Sequence, residues 1–127
     1  MKFYIGAGFK NSEMVNNISK KLIEKGWIHT YNWAENILEK ETIEDMIKFS
    51  KLERQAINDS DIVIIILPAG RGTHIELGMA LAFNKKVVLY SIDGKEFDVE
   101  NTVNFYQLPE IDKIVGSVED LVNELTN

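Results

Sequence analysis

Short apolar runs alternate along this chain with segments of helical period, a pattern that predicts strand–helix repeats around a parallel sheet. The first run is Lys2-Phe3-Tyr4-Ile5, closed by Gly6-Ala7-Gly8. A helix is expected over residues 11–25, with Met14, Val15, Ile18 and Leu22 on one stripe and Gly26 as its stop signal. A second strand is expected at 28–31. The polar stretch 32–41, interrupted by Trp33, Ile37 and Leu38, reads as a loop or short helix. Thr42-Ile43-Glu44-Asp45 looks like a helix start, and the pattern continues to about Asn58.

Within 61–67 lies Ile62-Val63-Ile64-Ile65-Ile66, so continuously branched and apolar that it has to be covered on both faces, as a central strand. A helix apolar on most sides is expected over 73–84, another inner strand over 86–91, and an irregular connection with a short helix over 93–109. Residues 113–115 make a short last strand, and Ser117 caps a final helix carrying Val118, Leu121, Val122 and Leu125 on one face. Right-handed crossovers then imply an α/β three-layer sandwich over residues 1–127, one domain with a five-stranded parallel sheet in the flavodoxin-like order 2-1-3-4-5. In such sheets ligands bind beyond the carboxyl ends of the strands, where the order reverses. That singles out the segments 6–10 and 68–76.

Composition narrows the chemistry. With 20 Asp+Glu against 14 Lys+Arg, the net charge is −6, and no basic cluster exists to track a nucleic-acid backbone. The absence of cysteine excludes disulfides, thiolate metal sites and thiol nucleophiles, and two histidines are too few for a histidine metal cluster. No metal or cofactor is expected. There is no signal-peptide pattern and no apolar run of membrane-spanning length, so a soluble cytoplasmic protein acting on a small molecule is the expectation.

The loop Gly70-Arg71-Gly72-Thr73 precedes a helix N-terminus, where free backbone N–H groups and the helix dipole favour an anion such as phosphate or carboxylate. Glu76, expected in the first turn, would be held ionised by that dipole, as a nucleophile requires. The same residues also spell a capping box, Thr73 with Glu76. Glu53 projects between Met46 and Phe49 and over Ile57, on the apolar arc of its helix. There burial would raise its pKa and suit it to hold a proton, or it would serve as a structural partner for an arginine. Gly6 and Gly8 allow close approach of a ligand, as they would in any tight turn. Tyr4 points either into the core or, through its hydroxyl, toward the cleft. Tyr31 and Trp33 offer a stacking face or a surface plug, and His74 reads as a cap or a loop contact.

Tyr4-Ile5-Gly6-Ala7-Gly8-Phe9 and Ile75-Glu76-Leu77-Gly78-Met79-Ala80 together resemble the nucleoside 2-deoxyribosyltransferase family, which includes 2′-deoxynucleoside 5′-phosphate N-hydrolases. The likeness runs from Lys2 to about Ser91. It implies a retaining double displacement in which Glu76 attacks the anomeric carbon and Glu53, in place of the family's aspartate, protonates the departing base. It also implies Tyr4 near the sugar, Gly6 and Gly8 beside it, and Arg71 and Thr73 where members vary between nucleosides and 5′-monophosphates. A homodimer or larger assembly is implied as well, with a polar residue from a neighbouring subunit, Asn101 or Asn104, completing each site. The alternatives are a glycohydrolase of NAD-type nucleotides and a non-catalytic nucleotide-binding signalling module.

Overall fold

The Ile62-Val63-Ile64-Ile65-Ile66 run forms β3 (Ile62–Ile66), the middle strand of the sheet, and each of its side chains is at most 1% exposed. A fully buried aliphatic side chain contributes roughly 1.5–3 kcal/mol, so this strand alone anchors the core. The computed structural model describes residues 1–127. Around β3 lie β1 (Lys2–Gly6), β2 (Ile28–His29), β4 (Lys86–Ser91) and β5 (Asp112–Val115), all parallel, in the order β2-β1-β3-β4-β5. This is the α/β sandwich expected. Helices α1 (Ser12–Glu24) and α4 (Val118–Thr126) pack together, as do α2 (Ile43–Asp59) and α3 (Arg71–Ala82), covering the two faces of the sheet.

Local sequence sets several boundaries. Thr42 and Ser117 cap α2 and α4 through reciprocal capping boxes with Asp45 and Asp120. Elsewhere the structure departs from expectation. Strand β2 is two residues long rather than four, because at the sheet edge Thr30 makes a last backbone bond to Phe3 O at 2.9 Å and its hydroxyl turns to Ser60 Oγ at 3.0 Å. The 32–41 stretch contains one turn of 3₁₀ helix, Trp33–Glu35, and the connection after β4 contains two, Lys95–Phe97 and Asn104–Gln107.

Two features position a site. The only residues of α2 that are buried are Ala56 and Ile57, so most of its apolar stripe stands beside the sheet rather than on it. And β1 and β3, the adjacent strands at which the order reverses, end together at one edge.

Candidate active site

Beyond the ends of β1 and β3 opens a cleft of ≈ 400 Å³, within the size range of small-molecule sites. One wall is the α2 stripe of Met46, Phe49, Ser50, Glu53, Arg54 and Ile57, residues spaced three and four apart and therefore on one helical face. The opposite wall comes from Ala7, Gly8 and Phe9 after β1 and from the start of α3 with its approach loop. Tyr31 and Trp33 close one side. No helix is long and apolar enough to cross a membrane.

The floor holds two carboxyls joined by one phenol. Tyr4, fully buried on β1, donates its hydroxyl proton to Glu76 Oε2 in a short hydrogen bond and lies 3.4 Å from Glu53 Oε1. Glu76 is 9% exposed. Burial, together with the adjacent Glu53 carboxyl, pushes Glu76 far above the ordinary carboxylate range, to about 9, although Tyr4 donates to the charged form and opposes the shift. The same burial and the two acids raise the Tyr4 phenol well above its usual value, so it keeps its proton and acts as donor.

This overturns two expectations. Helix α3 starts at Arg71, two residues earlier than expected, with Gly70 as an N-cap that makes no side-chain bond. Glu76 is therefore the sixth helical residue, beyond the first turn where the dipole acts, and forms no capping box with Thr73. Held in the interior against a second acid, it is a carboxyl that keeps a proton, not one that the helix holds ionised. The acid whose proton affinity burial raises is Glu76; Glu53 is half-buried and faces the cleft.

The glycines divide by role. At Gly6 an added Cβ would stand 2.8 Å from Ile65 Cδ1, 3.2 Å from Glu76 Oε1 and 3.4 Å from Thr73 Cγ2, so the space above β1 belongs to the Glu76 carboxyl. At Gly8, Gly70 and Gly72 an added Cβ would meet nothing, and none of these three has a positive φ. Neither crowding nor backbone conformation within the chain requires glycine there. All three line the cleft, and their bare backbone leaves room for a ligand to lie against it. Thr73, 5% exposed and also lining the cleft, completes that wall.

The remaining candidates separate. Trp33 is 7% exposed; its indole N–H donates to Ile5 O at 2.8 Å, and Phe9 meets its ring edge-on at 5.9 Å. It braces the end of β1 while lining the cleft. Arg71 is exposed and does not line the cleft, because its side chain leaves the first turn of α3 toward solvent. Asn101 and Asn104 are exposed on the connection after β4, away from the cleft of their own chain. The cation in the wall is instead Arg54, unforeseen although it sits beside Glu53 on the same helical stripe. Ser50, also missed, was legible by the same spacing; Asn36 and Glu41, on the irregular 32–41 stretch, carried no signal.

The sequence matches the family model described as nucleoside 2-deoxyribosyltransferase over residues 3–123, well beyond Ser91, where the visible likeness faded. No curated protein matches it in sequence. Among solved structures, it resembles a CMP N-glycosidase of Clostridium botulinum, with 20% identity, 100% of both chains covered and a TM-score of 0.71. It also resembles a 2-deoxyribosyltransferase of Bacillus psychrosaccharolyticus, with 21% identity, 97% of this chain and 91% of that one covered, and a TM-score of 0.76.

Proposed function

The chain belongs to the nucleoside 2-deoxyribosyltransferase family, and from that premise we propose that it cleaves or exchanges the N-glycosidic bond of (deoxy)nucleosides or their 5′-monophosphates through a covalent glycosyl–Glu76 intermediate. The observation that carries the reading is the Tyr4 hydroxyl, in reach of both Glu76 and Glu53 on the floor of a glycine-walled cleft. Two carboxyls that one phenol oxygen can touch fit the close spacing, ~5–5.5 Å, of retaining glycosidases rather than the wider gap that admits an attacking water.

In the resting site the two acids share a proton held on Glu76. Passing it to Glu53 creates both roles at once, a carboxylate nucleophile and a neutral acid. Glu76 then attacks the anomeric carbon as the C–N bond breaks, and the electron pair leaves with the base, which takes the proton from Glu53. The Tyr4 O–H stabilises the Glu76 carboxylate before attack and as it is released again. In the second half, water or another base attacks the same carbon, the glycosyl–oxygen bond breaks, and Glu53 accepts the proton from the acceptor. Gly8, Gly70, Gly72 and Thr73 would hold the substrate along the backbone wall, and Trp33 would flank it.

Assembly belongs to the same reading. Asn101 and Asn104 lie off their own cleft, and the N-terminal end of α2, at the rim of the cleft, shows Ile43, Met46 and Ile47 at 50–75% exposure. A homodimer would cover that end and present the asparagines to a neighbouring cleft; a monomer in sedimentation equilibrium at micromolar concentration would refute it.

The test of function is incubation with a panel of deoxynucleosides, ribonucleosides and their 5′-monophosphates, with and without a second free base, resolved by mass spectrometry. Free base and sugar, or an exchanged nucleoside, are expected from the wild type. None is expected from Glu76→Gln, and a variant as fast as the wild type would sink the proposal.

A further inference from the structure

His74 and Tyr106 lie outside the cleft lining and have no part in the chemistry above, yet they make the one side-chain hydrogen bond between α3 and the connection that follows β4. His74 Nδ1 is 2.7 Å from Gly70 O, and a carbonyl only accepts, so Nδ1 carries the proton. The same carbonyl takes the His74 backbone N–H at 3.1 Å. With Nδ1 so occupied, Nε2 is the acceptor, 2.7 Å from Tyr106 Oη, and the phenol is the donor. Burial, with Glu96 nearby, raises the Tyr106 phenol, so that proton is retained. The two rings are near-parallel at 5° with centroids 5.8 Å apart, and Tyr106 is 3% exposed.

The far end of this bridge is rigid. Ser91 Oγ donates to Glu96 and accepts from Gly94 N at 2.9 Å, and Gln107 Nε2 donates to Phe97 O at 3.2 Å. The near end has few ties of its own. Gly70 and Gly72 carry no side chains, and Gly70 caps α3 without a side-chain bond, so the His74 contacts to Gly70 O and the packing of Thr73 are what hold the start of α3.

We infer that His74 and Tyr106 are positioning residues whose bridge holds the wall formed by Gly70, Gly72 and Thr73 in its substrate-receiving conformation. The inference rests on the proposed N-glycosidic reading for its kinetic consequence but not for its structural one. Glu76 is held separately, by Tyr4 and by packing over Gly6. Loosening the wall therefore weakens substrate binding and leaves the chemical step in place.

Two measurements test this. Tyr106→Phe keeps the ring and loses the donor; exchange of the amides in the first turn of α3 should accelerate about fivefold, the factor that loss of one net hydrogen bond of ~1 kcal/mol gives, with β3 unchanged. With the panel member that turns over fastest, KM should rise by the same factor of about five while kcat stays within about twofold. His74→Leu should match it, the double variant should be no worse than either single one, and His74→Gln, whose amide can donate to Gly70 O and accept from Tyr106, should recover most of the loss. Unchanged exchange, additive effects in the double variant, or faster exchange with KM unaltered would each overturn the inference. If no panel member is turned over by the wild type, the functional reading fails, and the exchange data alone decide the bridge.

Discussion

Replacing Glu76 by glutamine should make the protein more stable as it makes it inactive, and by an amount that depends on pH. The unfolded chain titrates Glu76 near 4.5, whereas the buried site holds its proton to about 9. Below pH 4.5 both states are protonated and the residue is neutral in its effect. Above it the unfolded state releases a proton that the folded state retains, so stability falls as pH rises and goes on falling until about 9. At pH 7 the separation is two and a half pH units at ~1.4 kcal/mol each, a ceiling of about 3 kcal/mol. Sharing of the proton with Glu53 lowers it. Glutamine removes the titration and keeps the contacts, because its amide accepts from Tyr4 and donates to Glu53 as the protonated acid does. In urea unfolding from pH 4 to 9, the wild-type and Glu76→Gln curves should coincide at pH 4 and separate by about 1–3 kcal/mol at pH 7, with the variant more stable. Parallel curves, or a variant that loses stability as pH rises, would refute the assignment of a buried, proton-holding Glu76.

The other expectations follow from the same neighbourhood and from the sheet edge. Gly6→Ala puts a methyl 3.2 Å from Glu76 Oε1, so the carboxyl must move; the rate should fall about 100-fold at a stability cost of about 1–3 kcal/mol, and full activity in the folded variant would contradict the packing. Tyr4→Phe removes the one bond that favours ionised Glu76, so kcat should drop by ~10²-fold, with the alkaline fall in the rate profile, where the shared proton is lost, displaced upward; a profile that does not move would assign Tyr4 to the core alone. His29, stacked on Phe3 at 4.4 Å with Nε2 buried and unpartnered, has its pKa lowered by burial from 6.5 to about 4. Its folded form resists protonation, so its contribution is intact above pH 6.5 and is lost as pH falls toward 4, the opposite slope to that of Glu76. The difference between the wild type and His29→Phe isolates it: the variant should gain relative stability on acidification, by at most ~3 kcal/mol, and a constant difference would show that the ring is not buried neutral.

Much of this was written in local pattern. The run 62–66 could only be a doubly covered strand, and Thr42 with Asp45 and Ser117 with Asp120 place helix starts within four residues of chain, so strand order and layers followed. The spacing of Met46, Phe49, Glu53 and Ile57 put Glu53 on the stripe of α2 that lines the cleft, and Ser50 and Arg54 were legible on it too. The start of α3 was misplaced because Thr-x-x-Glu imitates a capping box, while the real cap, Gly70, has no side chain to announce it.

What the sequence by itself determined is therefore which residues could meet: strand period, helical stripe and the reversal of strand order bring Tyr4, Glu53 and Glu76 to one edge of the sheet. Only the tertiary structure decided the charge they carry there. The proton on Glu76 depends on a phenol 72 residues away, on a second carboxyl across the cleft and on the depth of burial, while the helix dipole, the one local influence, does not reach it. Dihedral preference and periodicity are properties of neighbouring residues, but solvation and charge coupling belong to whatever the fold packs together.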